Sequence, residues 1–260
     1  MKKRNLLIGV MVVAAVVLSG CGKKTTSLQP TPKPKLVLPS NVIPVSERPF
    51  VTIAPTAARE VVLTIGSLKK SAESVDFELQ YSAGEKEEAA IGSLDLAKGK
   101  DRWSKTILLG SKSGGGKITY HENVTGGTLA LTFYNENYKI SNDWAYIDNR
   151  KPTSLFASRD GKFSIETGKL LKSMPYVIVY QNPGLPAPTT GTVVSGPYSL
   201  SGTSTLPSGT GTVTMRTSEV GQAQILGWTG KEWKMFPTKV DGKMATAQVD
   251  MLQTYVAVSK

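Results

Sequence analysis

The sequence has one cysteine, Cys21, and one histidine, His121, in 260 residues. One cysteine excludes an intrachain disulfide, a cysteine-based zinc site and a cysteine-ligated iron–sulfur cluster. One histidine excludes a multi-histidine metal site. Acidic residues are the minority charge, 20 Asp and Glu against 31 Lys and Arg, which gives a formal net charge of +11. Long apolar runs are scarce as well. Beyond residue 18 no stretch approaches the length needed to span a bilayer. What is present is an apolar share of 40%, enough for a core and too much for wholesale disorder. The length allows one or two domains.

The first twenty-one residues are ordered like an export signal. Lys2, Lys3 and Arg4 precede an apolar run from Leu6 to Leu18, which is short for a spanning helix and fits the apolar region of a signal peptide. The run ends in Leu18-Ser19-Gly20-Cys21. This tetrapeptide resembles the lipobox of bacterial lipoproteins. The resemblance implies cleavage before Cys21 and a diacylglyceryl thioether on its sulfur, so residues 1–20 are expected to be removed. Lipidation at Cys21 would anchor the chain to a membrane, in an extracytoplasmic location, without threading it through.

Residues 21–58 are expected to be a linker. Gln29-Pro30-Thr31-Pro32-Lys33-Pro34-Lys35 alternates proline with polar residues, and Pro39, Pro44, Pro49 and Pro55 continue the series. Proline fixes φ and donates no hydrogen bond, which favours an extended, polyproline-like stalk. Lys23, Lys24, Lys33, Lys35 and Arg48 against Glu47 make the stalk basic, which suits a position beside anionic headgroups or wall polymers.

From Arg59 the apolar period becomes two. Val61, Leu63 and Ile65 share one face of an extended segment, as do Val75, Phe77, Leu79 and Tyr81, then Leu129, Leu131 and Phe133, then Tyr176, Ile178 and Tyr180. Further strands are expected around 88–96, 105–109, 117–121 and 144–147, and one short, marginal helix over Glu166–Met174. Asn182-Pro183-Gly184-Leu185-Pro186-Ala187-Pro188 reads as a second break. Strands follow it at 197–201, 211–216, 222–228, 232–236, 243–249 and 254–258. Short strands at this spacing predict an all-β chain of two small antiparallel sandwich domains, 59–181 and 196–260, joined by a linker at 182–195. The C-terminal part carries Trp228-Thr229-Gly230-Lys231-Glu232-Trp233 and closes on Thr254-Tyr255-Val256-Ala257-Val258. It resembles the ending of bacterial extracellular immunoglobulin-like or ZU5-like sandwich modules, which implies a fold class and no catalytic residue.

Motifs for chemistry are few. Gly110-Ser111-Lys112-Ser113-Gly114-Gly115-Gly116-Lys117 has one residue too many for a phosphate-binding loop, and Ile118 stands where the magnesium-binding hydroxyl belongs. His121 has no Gly-x-Ser-x-Gly nucleophile to serve. Glu136, Asp143 and Asp148 are the acids that glycoside cleavage could use, or that could gather round a calcium ion, but their spacing fixes neither. The richest stretch is Tyr134 to Asn149, where aromatics mix with Asn and Asp. Tyr138, Asp143, Trp144 and Tyr146 could form a sugar-binding surface, aromatic faces stacking on sugar rings while amides and carboxylates bond hydroxyls. The same residues also make an ordinary hairpin with an Asn-rich turn. Trp228 and Trp233 are expected as cross-strand partners.

The sequence thus points to a lipid-anchored envelope protein with a non-enzymatic binding, adhesion or scaffold role. Its expected partners are the membrane, through Cys21, and an envelope protein, glycan or wall polymer. A glycan- or wall-polymer-binding lipoprotein is the first alternative reading, and a carboxylate-dependent hydrolase is the second. No cofactor or metal is expected. Nor is nucleic acid, because the basic residues are too dilute over the folded part.

Overall fold

The computed structural model describes residues 38–96 and 100–259. The lipobox residues and Cys21 lie outside them. After a short 3-10 turn at Val45–Glu47, the first strands are β1 (Phe50–Pro55), β2 (Glu60–Gly66), β3 (Ser74–Ala83), β4 (Lys86–Asp95) and β5 (Arg102–Leu108). Then come β6 (Gly110–Lys112), β7 (Ile118–Tyr120), β8 (Val124–Tyr134), β9 (Tyr138–Asp148), β10 (Leu155–Ala157), β11 (Phe163–Glu166) and β12 (Tyr176–Gln181). The chain finishes with β13 (Val193–Gly202), β14 (Thr210–Arg216), β15 (Ala223–Trp228), β16 (Trp233–Phe236), β17 (Thr238–Asp241), β18 (Met244–Asp250) and β19 (Thr254–Ser259).

The all-β antiparallel sandwich expected from the alternating pattern is the observed fold. A nine-stranded sheet runs in the order β16-β15-β19-β13-β12-β9-β8-β3-β4. A three-stranded sheet, β1-β2-β5, closes a first core against it. A five-stranded sheet, β10-β11-β14-β18-β17, closes a second. In β3, Val75, Phe77, Leu79 and Tyr81 point into the first core while Asp76 and Gln80 face solvent, as a period of two requires. In β12 both faces are covered. Tyr176, Ile178 and Tyr180 enter the first core, and Val177 and Val179 enter the second. This one strand joins the two sandwiches.

The expected linker at 182–195 is therefore corrected: the large sheet continues across it, from β12 directly to its hydrogen-bonded neighbour β13. Asn182 to Leu185 are buried. The Asn182 side chain accepts from Val51 N (3.2 Å) and donates to Val51 O (2.6 Å) and Ser199 Oγ (3.0 Å). A Cβ on Gly184 would come within 2.3 Å of Arg48 O. Leu185 packs with Leu226, Val256 and Val258 in a third, small cluster on the reverse face of the sheet. Proline and glycine here serve close packing of backbone on backbone rather than a free tether.

The expected stalk also ends earlier than residue 58. β1 lies inside it and pairs with β2 through Val51↔Ile65 and Ile53↔Leu63. Ahead of β1, Asn41 donates from Nδ2 to Ser141 O (2.6 Å) and accepts from Ser141 N (3.1 Å). Arg48 donates to Ile43 O and Asn41 O, at 2.8 Å each. The sparse prolines of 39–55 tolerate this, since the last of them ends a strand where no further ladder donor is needed. The helix expected over Glu166–Met174 is likewise absent. Glu166 ends β11, and successive three-residue turns follow, with Leu170 N on Thr167 O and Met174 N on Leu171 O. Gly168, at φ +59°, interrupts any helical path.

Candidate binding pocket

The ligand surface expected from Tyr138, Asp143, Trp144 and Tyr146 is not assembled. The three aromatics share even parity in β9 and point inward, with 4%, 0% and 6% of their surface exposed. Tyr138 stacks on Phe133 at 4.5 Å between ring centroids. Trp144 donates from Nε1 to Gln80 O at 3.0 Å. Asp143 has odd parity and lies on the opposite face, accepting from Thr128 Oγ1 at 3.3 Å. Alternation alone separates the carboxylate from the rings. Asn135 and Asn137 take positive φ in the β8–β9 turn, as short amide side chains permit.

The other candidates are placed as follows. Residues 110–120 form a small hairpin, β6 with β7, and no helix follows to present its N-terminus to a phosphate. Glu136 sits in the β8–β9 turn, Asp143 in mid-strand and Asp148 at the end of β9, so the three acids do not converge. Among the described residues no group of three or more His, Cys, Asp or Glu side chains could hold a metal ion. Trp228 and Trp233 are directly opposite across β15 and β16 and pack edge to face at 5.3 Å.

A different arrangement gathers chemistry at one end of the first sandwich. The end of β9 supplies Tyr146, Asp148 and, just beyond, Arg150. β12 supplies Tyr176, the segment entering β8 supplies His121 to Thr125, and the β1–β2 turn supplies Arg59. They line a pocket of about 250 Å³. Gly126 and Gly127 let β8 press against both neighbours here, since a Cβ would meet Trp144 O at 2.2 Å or Gln80 O at 2.3 Å. That close approach sets the 121–125 segment over the end of β9.

Two arginine–carboxylate pairs flank the opening. Arg59 Nη1 lies 2.5 Å from Glu122 Oε1, and this hydrogen bond raises the arginine's pKa. Arg150 grips Asp148 with Nε at 2.8 Å and 3.1 Å and also through Nη2. The guanidinium holds the Asp148 carboxyl below the usual carboxylate range. Each arginine also sits over an aromatic ring, Arg59 at 5.8 Å from Tyr120 and Arg150 at 5.6 Å from Tyr176. Further in, His121 Nδ1 and the Tyr81 hydroxyl are hydrogen-bonded at 3.1 Å. The Tyr146 ring packs on Tyr176 at 5.3 Å, and its buried hydroxyl has no partner. Burial, then the nearby Tyr176 and Asp148, push that hydroxyl's pKa well up, so it stays a proton donor.

The pocket thus offers guanidinium donors, carboxylate acceptors, an orphaned hydroxyl and aromatic faces, with charges that offset one another. Such a set suits a small polar ligand with hydroxyl or amide groups better than a bare ion. Of the surface expected from sequence, Tyr146 alone lines it, and His121 and Asp148 join from other readings. Arg59, Arg150 and Tyr176 gave no local signal, because they come from three separate stretches that only the fold unites. Comparison of the chain with family models, with curated proteins and with solved structures returns no match.

Proposed function

We propose that this chain is a bacterial envelope lipoprotein whose β body has a non-enzymatic binding, adhesion or scaffold role. In this reading Cys21 carries the lipid, residues 1–20 are removed, and the proline-rich residues before the body connect it to the membrane. The ordered run of basic residues, apolar segment and Leu18-Ser19-Gly20-Cys21 supports the anchor. The observation that carries the binding role is the pocket in which Arg59–Glu122 and Arg150–Asp148 flank Tyr176 and the unpartnered Tyr146 hydroxyl. A glycan is the second reading, and its seat moves from the β9 aromatics to this pocket, where hydroxyl groups would meet paired donors and acceptors. The full chain tests both halves. Metabolic labelling with palmitate should mark the wild type and not Cys21→Ala. Isolated envelopes should retain the wild type more strongly than Arg59→Ala/Arg150→Ala when both lack the lipid. An unlabelled wild type defeats the anchor, and equal retention defeats the pocket.

A further inference from the structure

A second cleft lies elsewhere and has a different character. It measures about 900 Å³ and runs along the first half of β13, with no residue in common with the Arg59 pocket. Lys162, Arg216 and Lys243 line it, together with the hydroxyls of Ser46, Thr189, Thr192, Ser195, Thr217 and Ser218, and no carboxylate is among its lining residues.

Backbone bonds bring the three residues to one end of the five-stranded sheet. Arg216 N donates to Lys162 O at 2.8 Å, and Thr217 N donates to Lys243 O at 2.8 Å. Lys162 and Arg216 are therefore cross-strand neighbours of like charge at the end of the five-stranded sheet, an arrangement that costs stability when nothing offsets it. Asp160 offsets part of it, at 3.9 Å from Lys162 Nζ, but its oxygens are also engaged by Tyr198 OH, Ser158 Oγ and Lys162 N. Lys243 Nζ donates to Ser218 O at 2.9 Å. Among the described residues the Arg216 guanidinium enters none of the ion pairs.

The floor is built as well as charged. The β13–β19 ladder slips twice, between Val193 and Ser195 and between Ser195 and Tyr198. The displaced backbone is tied instead to the 216–218 segment, through Ser218 N on Val194 O and Ser195 Oγ on Arg216 O, both 2.8 Å. Gly191, at φ +92°, lets the chain pass where a Cβ would meet Ser259 O at 2.3 Å. The slip opens the groove and holds Arg216 at its wall.

We propose that this cleft binds an anionic polymer of the polyol-phosphate type, its phosphodiesters on Arg216, Lys162 and Lys243 and its hydroxyls on the Ser46, Thr192 and Ser218 side chains. Guanidinium and ammonium groups make charge-assisted bonds to phosphate oxygens. The cleft exceeds what one phosphate would fill. A ring-stacking sugar has no platform in it, since Tyr198 is stacked on Phe163 and its hydroxyl is held by Asp160.

The test is titration of the full chain with soluble poly(glycerol phosphate), beside vesicles containing phosphatidylglycerol, which present the same phosphodiester on a membrane. Arg216→Ala/Lys243→Ala should weaken polymer binding by about tenfold or more, and salt at about 0.5 M should do likewise. Lys112→Ala/Lys117→Ala removes the same charge on a distant hairpin and should leave binding unchanged. Unfolding curves of both double variants and of the milder Arg216→Gln establish that the folds are intact. No polymer binding by wild type, affinity retained within about twofold in the cleft variants, equal loss in the hairpin variant, or binding confined to the vesicles would each overturn the proposal. None of these outcomes bears on the Arg59 pocket, whose variants test it separately.

Discussion

The two halves of the nine-stranded sheet are built from the same kind of strand and covered differently. In β3, buried and exposed residues alternate, because one face meets the three-stranded sheet and the other meets water. In β15 and β19 almost every residue is buried. Tyr255 and Ala257 enter the second core, and Val256 and Val258 enter the small cluster under Leu185. The charge differs in the same sense. Residues 149–259 hold eleven Lys and Arg against six Asp and Glu, whereas residues 38–148 hold twelve against fourteen. The half covered on both faces carries the basic cleft, and the half with a wet face carries the charge-paired pocket. Coverage decides where binding features can stand: where both faces of the sheet are taken, a cleft arises where an interior ladder slips, and where one is open, at the sandwich end.

The largest effect that would break this comparison lies in the first core. Trp144→Ala removes a fully buried ring, and such a truncation costs about 3–5 kcal/mol, read as a lower denaturant midpoint. A near-neutral result would return Trp144 to the surface. Next is Asn182→Ala, which leaves the buried Val51 N–H and C=O without their side-chain partner and should cost about 1–3 kcal/mol. A loss near zero would restore the free-linker reading of that segment.

Alkaline pH should weaken both cores together. Tyr146 in the first and Tyr198 and Tyr255 in the second have hydroxyl pKa values pushed up chiefly by burial, and fully buried Tyr180 is pushed up to about 12. Their contribution is whole below the unfolded value, about 10, and is lost as pH rises through the folded values. Stability measured against pH should therefore fall from about pH 10 upward, and a flat profile there would place these hydroxyls in water. The smallest effect belongs to the pocket rim. The lowered Asp148 value adds stability above the unfolded carboxylate range that is lost as pH falls through the folded one. The pair is half exposed, so Arg150→Ala should leave the denaturant midpoint almost where it was, and a clear drop would make the rim structural.

Legibility followed coverage too. Val75 to Tyr81 could be read as a strand because alternation survives wherever one face is wet. β1 could not, since Pro49 and Pro55 bracket it and drew it into the proline-rich stretch. Asn182 to Pro186 looked like a tether because composition cannot distinguish a loose Pro-Gly segment from one pressed between backbones. The β9 aromatics resemble a sugar-binding surface in composition, but the even numbering of Tyr138, Ile140, Trp144 and Tyr146 puts them with the core. The two sites lay beyond reach for a plainer reason: Arg59, Arg150 and Tyr176, like Lys162, Arg216 and Lys243, become neighbours only through pairings between distant strands.

The shared strand β12 is the centre of this account, and thermal unfolding of the full chain tests it most directly. Ile178→Ala opens a cavity in the first core and Val179→Ala in the second. One cooperative transition, moved to lower temperature by either substitution, is the predicted result. Two transitions, each moved by only one of the substitutions, would contradict it and return the molecule to a pair of independent domains.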